Sequence, residues 1–182
     1  MPIQVSSATA ADSAELATVA ARTFPLACPA SSTAEDIAAF IAANLSTGKF
    51  DEYIRAHRVL VARENDVIVG YSMLVNGIVE DPDVQRAVTL RPAMQLSKMY
   101  VLPEFHQAGV AGALMTASLT EAAACGAIGV WLGVNQENER AQRFYAKHGF
   151  NRSGTKTFQV GERLENDYVM QCRISAGSVA AR

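Results

Sequence analysis

Apolar and polar positions change period several times along the chain, and each change predicts an element. Residues 3–7 alternate as a first strand, and residues 12–23 repeat alanine and leucine at helical spacing. Thr33 with Asp36 three residues later reads as a variant capping box. The helix it opens carries Ile37, Phe40, Ile41 and Leu45 on one face. Residues 59–62 and 67–75 predict a hairpin across Glu64-Asn65-Asp66. Residues 80–92 are polar with two prolines and predict a loop at the edge of a site. Residues 95–102 form an apolar central strand that Pro103 stops. Val110 then opens a helix to about Cys125, with Gly126 as the residue that ends it. Residues 128–134 make a strand of buried type, closed by Asn135. Asn138 caps a last helix that Gly149 ends, and residues 151–160 and 166–174 supply a final strand pair. The order β-α-α-β-β-β-α-β-α-β-β predicts an α/β (α+β) chain: a mixed sheet with helices on both faces.

Two stretches carry chemistry. Between the strand at 95–102 and the next helix lies His106-Gln107-Ala108-Gly109-Val110-Ala111-Gly112, where every side chain after Gln107 is small or apolar. A helix start leaves its first N–H groups unpaired and carries roughly half a positive charge. Small residues let a phosphate approach that backbone closely. A small-residue helix start packed on a sheet would read the same way. The segment is neither a P-loop, which needs a Lys-Ser/Thr ending, nor a dinucleotide fingerprint, which needs other glycine spacing. The second stretch is the capped helix after Asn138. Ala141, Phe144, Tyr145 and His148 share one of its faces at i, i+3, i+4 and i+7. A lone tyrosine there reads as core. A tyrosine facing a crevice beside an anion cradle reads less readily as core alone.

Together these residues resemble the Gcn5-related N-acetyltransferase (GNAT) superfamily. Its cofactor motif, Gln/Arg-x-x-Gly-x-Gly/Ala, is met by His106-x-x-Gly109-x-Ala111, with His106 departing from the usual Gln or Arg. The C-terminal half further resembles the PaiA-like polyamine N-acetyltransferases. The similar residues are Trp131-Leu132-Gly133-Val134, Glu137-Asn138, Ala141, Phe144-Tyr145, Gly149-Phe150, Gly154, Phe158, Gly161, Asp167 and Met170. The resemblance implies a mostly antiparallel mixed sheet whose strands at 95–102 and 128–134 splay apart to take acetyl-CoA. Pantetheine would pair with the backbone of Met99 and Val101. The pyrophosphate would sit on N–H groups of Gln107, Ala108, Gly109, Val110, Ala111 and Gly112, with His106 beside them. Asn138 would lie near pantetheine or Tyr145. An amine would attack the thioester directly, the Met99 N–H would stabilise the carbonyl oxygen, and Tyr145 would protonate the leaving thiolate. A thiol near ~8.5 takes a proton from a phenol near ~10 only when the two are held close in a dry site.

The base is less legible. A primary amine with pKa near ~10.4 costs about 4.6 kcal/mol to deprotonate at pH 7. Relatives carry a strand glutamate for this, but the positions here are Gln95, Ser97 and Lys98. Glu80, Asp81, Asp83 and Asp167 are the remaining candidates, and Asp167 is preferred because it matches the PaiA-like pattern. The expected acceptor is a polyamine such as spermidine or spermine, drawn by the acidic Glu80-Asp81-Pro82-Asp83. A protein lysine or α-amino acceptor stays open, as does a non-catalytic acetyl-CoA-binding module.

Composition narrows the setting. The 182 residues, 49% of them hydrophobic, suit one domain over 1–174 with a frayed tail at 175–182. No leader or apolar run of membrane-spanning length is present, which predicts a cytoplasmic protein off the membrane. Cys28, Cys125 and Cys172 have no metal-like spacing and are expected reduced, and no metal site is expected. His57 is expected on a surface helix, and His148 in a last turn. A net charge of −2 argues against nucleic acid. A homodimer is consistent with exposed edge strands.

Overall fold

The computed structural model describes residues 2–160 and 162–175. The expectation of a frayed tail therefore falls on residues of which 176–182 lie outside that description, as does Gly161. Among the described residues the elements run β1 (Gln4–Ser7), α1 (Ser13–Ala27), α2 (Ala34–Asn44), α3 (Thr47–Ala56), β2 (Arg58–Glu64), β3 (Val67–Asn76) and α4 (Pro82–Ala87). They continue with β4 (Ala93–Val101), α5 (Val110–Ala124), β5 (Gly129–Asn135), α6 (Glu139–Lys147), β6 (Asn151–Val160) and β7 (Arg163–Arg173). The strand order is β1-β2-β3-β4-β5-β7-β6; β1 with β2, β2 with β3, β5 with β7 and β6 with β7 pair antiparallel, and β4 with β5 pairs parallel. The chain divides into two compact units, Met1–Leu74 with Lys98–Ser118 and Val75–Ser97 with Leu119–Arg182.

In the first unit β1, β2 and β3 form an antiparallel ladder. Its hairpin turns at Asn65 and Asp66, with φ of 50° and 66°. That left-handed pair is the geometry a tight hairpin needs, and Asn and Asp tolerate it best after Gly. Successive residues of β3 face opposite ways. A Cβ at Gly70 would touch Leu114 of α5, whereas the ring of Tyr71 meets Phe50 of α3 at 5.4 Å. Helices therefore cover both faces of this ladder. On one face Val110 and Leu114 close over Leu60, Ala62, Val69 and Val101. α1 buries Leu16, Val19, Ala20 and Thr23 and runs on to Ala27, past the expected end at Thr23. The ring of Phe24 stacks on Phe40 of α2 at 4.5 Å, which holds the added turn.

α3 was not expected. Ser46 caps it by accepting from the Lys49 N–H, and Phe50 is its fully buried anchor. His57 does not lie on a helix surface but just past the end of α3, in extended backbone.

In the second unit β7 pairs with both β5 and β6, placing Asp167 opposite Asn135 on one side and Lys156 on the other. Trp131 is the core, packed with Val84, Ala87, Val88, Ala93 and Val169, and its indole N–H donates to the Gly77 carbonyl at 3.0 Å. The polar loop expected at 80–92 is corrected here: it holds helix α4. Asp81 is its N-cap, Pro82 its first residue, and Val84, Ala87 and Val88 are buried. Pro at a first helical position is itself a helix-start signal. A Cβ at Gly154 of β6 would collide with Ala87 at 2.6 Å, so the bare glycine is what lets α4 lie on the strand.

Candidate functional site

The anion cradle lies in the first unit. After β4, a 3-10 turn at Pro103–Phe105 leads to His106, and Gly109 takes a φ of +77° just before α5. That left-handed residue turns the chain so that α5 begins with its axis pointing out of the turn. The Ala113 N–H donates to the Gly109 carbonyl at 3.0 Å, so the N–H groups of Val110, Ala111 and Gly112 belong to the first turn, which has no intrahelical acceptors. Gln107, Ala108 and Gly109 are exposed, and a Cβ added at Gly109 or Gly112 would meet nothing within 4 Å. First-turn donors with open space at Gly109 and Gly112 fit a pyrophosphate. His106 Nε2 lies 2.9 Å from the Val101 carbonyl oxygen, tying the turn to the strand end. Met99, two residues back on β4, packs its side chain beside Val101 and Val110.

The second unit holds the other expected residues. Asn138 caps α6, its side-chain oxygen accepting from the Ala141 N–H at 3.1 Å. Only its amide NH₂ is left for a ligand. Tyr145 lies against Phe144 and Phe150, with ring centroids 5.6 and 5.8 Å apart. The side chain keeps a partly exposed edge, yet burial pushes its phenol up to about 12. It is thus a weaker acid than the ~10 of a free phenol. Gly149, at φ +89°, ends the helix as expected.

Asp167 is buried, with Oδ2 3.6 Å from Lys156 Nζ. A Cβ at Gly133 of β5 would lie 2.6 Å from Lys156 Cε and 3.3 Å from that same Oδ2, so the pair rests on bare backbone. Burial raises the Asp167 carboxyl, and the attraction of Lys156 offsets only part of the rise. The acidic segment at 80–83 is more committed than its sequence suggests. The Asp81 carboxylate accepts from the Asp83 and Val84 N–H groups at 2.8 and 3.2 Å, and Asp83 pairs with Arg86.

The residue that sequence reasoning passed over is Lys98. It entered only as a position without a carboxylate. Its Nζ lies 5.4 Å from the Tyr53 ring centroid, on α3, the unexpected helix. The spacing of Phe50, Tyr53, Ile54 and His57 was the available signal.

Known proteins agree with this architecture. A family model described as the acetyltransferase (GNAT) family matches residues 22–150. An uncharacterized N-acetyltransferase of Mycobacterium tuberculosis, and its counterpart in Mycobacterium bovis, are 53% identical over 161 residues, 87% of this chain and 96% of theirs. Among solved structures, the PaiA N-acetyltransferase of Thermoplasma acidophilum in complex with coenzyme A aligns with a TM-score of 0.75 at 19% identity, covering 95% of this chain and 99% of its own. The ribosomal-protein-S18-alanine N-acetyltransferase of Escherichia coli aligns at 0.65 and 20% identity over the whole of both chains. The chain, with its mixed sheet and its glycine-turned start of α5, belongs to the acetyltransferase (GNAT) family and is an N-acetyltransferase of it.

Proposed function

We propose that the protein moves the acetyl group of acetyl-CoA to a primary amine by direct attack. The observation that carries this reading is the start of α5: unpaired first-turn N–H groups with open space in front of Gly109 and Gly112. The backbone from Gln107 to Gly112 binds the pyrophosphate, and the N–H groups of Met99 and Val101 meet pantetheine and the thioester carbonyl. Tyr145 supplies the proton for the thiolate, the Asn138 amide orients the cofactor, and Asp167 is the candidate base. Gly112→Asp tests the cradle. Nothing lies within 4 Å of a Cβ there, so the fold is kept. The added carboxylate repels the pyrophosphate, and CoA affinity measured by calorimetry should fall roughly 100-fold, the order expected for like charges in contact near a protein surface. Unchanged affinity with an unchanged melting curve would overturn the assignment.

The acceptor stands on weaker support. The PaiA-like half favours a polyamine, while in the acidic segment meant to attract one Asp81 caps α4 and Asp83 pairs with Arg86. A peptide α-amine is the second reading. It is favoured by the absence of a carboxylate on β4, since an amine near ~8 needs less help to lose its proton.

A further inference from the structure

We propose that Lys98 recognises an anionic group on the acceptor, so that the substrate is an amine carrying a carboxylate. The inference rests on the reading above in one respect: it takes the Met99 N–H as the place where the thioester carbonyl sits. Lys98 is the next residue on β4 and points to the other face of the strand. Met99 and Val101 pack toward α5. Lys98 and Tyr100 instead join the aromatic group against α3, Lys98 over Tyr53 at 5.4 Å and Tyr100 stacked on Tyr71 at 5.7 Å.

Three observations point to a missing anion. First, among the described residues no carboxylate oxygen lies within 4 Å of Lys98 Nζ, although the side chain is only partly exposed. The acids on the neighbouring elements are committed elsewhere. Asp51 accepts from Ser13 at 2.5 Å, Glu52 pairs with Lys49, and Glu15 holds the Ile68 N–H. A half-buried cation without a counter-charge is uncommon in a folded protein, because its lost hydration is not replaced. Burial accordingly lowers the ammonium pKa, with no opposing charge near enough to raise it. Second, Tyr71 is fully buried and its hydroxyl has no hydrogen-bond partner among the described residues, an unspent donor inside the same aromatic group. Burial pushes its ionisation well above the ordinary value, and the nearby phenols of Tyr100 and Tyr53 add to the rise. Third, an ammonium without a carboxylate partner is a donor suited to a carboxylate, which only accepts, whereas the Tyr53 phenol beside it is already spent on the Asn44 carbonyl at 2.9 Å. A polyamine would bring a second ammonium toward Lys98 and be repelled.

The test uses three amines of one length that differ only in the far group: γ-aminobutyrate, n-butylamine and putrescine. Thiol release from acetyl-CoA should give the lowest KM for γ-aminobutyrate and the highest for putrescine. Lys98→Met should cut the preference for γ-aminobutyrate over n-butylamine roughly ten- to hundredfold, the range of a hydrogen bond to a charged group. Most of that change belongs in KM, and Lys98→Arg should keep it small. Putrescine preferred by the wild type, or a preference that Lys98→Met leaves intact, overturns the proposal. A binding readout covers the case in which turnover is lost. In lysine-labelled protein holding CoA, the Lys98 side-chain resonance should shift with γ-aminobutyrate and not with n-butylamine. A resonance indifferent to the carboxylate refutes the site. Failure of the wild type to bind CoA at all is a separate result and strikes the acetyl-transfer reading instead.

Discussion

Tyr145→Phe removes one oxygen from α6 and keeps the ring between Phe144 and Phe150. The Tyr145 hydroxyl makes no hydrogen bond with any described residue, so the change orphans no partner. What is lost is a proton held by a phenol that burial has pushed up to about 12. The CoA thiol sits near ~8.5 in water, a gap of about 3.5 units or ~4.8 kcal/mol against transfer. So large a gap excludes a fast handover to a solvated thiolate. The step works only if the thiolate forms in the same water-poor surroundings, where burial raises the thiol by the same physics. We expect kcat to fall roughly 100-fold, within the usual range of a positioned acid, and CoA affinity to move less than about twofold. The pH profile carries the sharper test. The working form of Tyr145 is protonated and is lost only as pH rises through about 12. Thiol release followed between about pH 6 and 10 should therefore show no falling limb due to this residue. The rising limb should follow the acceptor, near ~10.4 for a primary amine. A falling limb near pH 8 or 9 that vanishes in Tyr145→Phe would place the phenol in a wet site. Unchanged kcat would leave Tyr145 with packing alone.

Gly70→Ala should cost about 1–3 kcal/mol, read from the denaturant midpoint. Its Cβ would lie 2.9 Å from the Tyr100 carbonyl oxygen and 3.1 and 3.2 Å from Val101 and Leu114 side-chain carbons, and the backbone oxygen cannot step aside. An unchanged midpoint would mean β3 and β4 are less tightly held than these distances state. Asp81→Ala should lose about 1 kcal/mol as the α4 cap goes, with acceptor KM unmoved. A higher polyamine KM at full stability would restore the acidic segment as a steering element.

What the sequence made legible was the part with regular period and glycine punctuation. The β4–α5 and β5–α6 segments are apolar runs with clear stops, and Gly109, Gly126 and Gly149 all take the positive φ their places require. The rest was hidden for physical reasons. α3 opens on Thr47-Gly48-Lys49, poor helix formers apart from the lysine, and is held by the buried ring of Phe50 rather than by propensity. In α4 the Asp-Pro pair carries two meanings, turn and helix start, and one short turn of Val84, Ala87 and Val88 cannot choose between them. The surroundings of Lys98 join β3, β4 and α3, and no local pattern records a contact between residues so distant in sequence. The capping by Asp81 and the pairing of Asp83 with Arg86 were hidden for the same reason, since both depend on the helix being there.

The remaining question is how the acceptor loses its proton, and Asp167 separates two answers. Its carboxyl is raised by burial, and Lys156 at 3.6 Å restores only part of the loss. A raised carboxyl favours its protonated form in the folded chain. The stability it contributes is full below the ordinary value near ~3.9 and is lost as pH climbs through the raised value. Near neutrality the ionised Asp167 is therefore a cost, partly offset by Lys156. Asp167→Asn removes that cost and also removes one partner of Lys156. The two effects oppose, and the melting temperature should shift little. Activity decides the rest. If Asp167 is the base, kcat/KM near pH 7 should fall roughly 100-fold or more, and the deficit should shrink as pH rises and the amine supplies its own free form. If Asp167 only holds Lys156 over Gly133, kcat/KM should be unchanged at every pH. A loss of the same size across the whole range would mark a disturbed β7 rather than missing proton transfer, and would take the base role from Asp167.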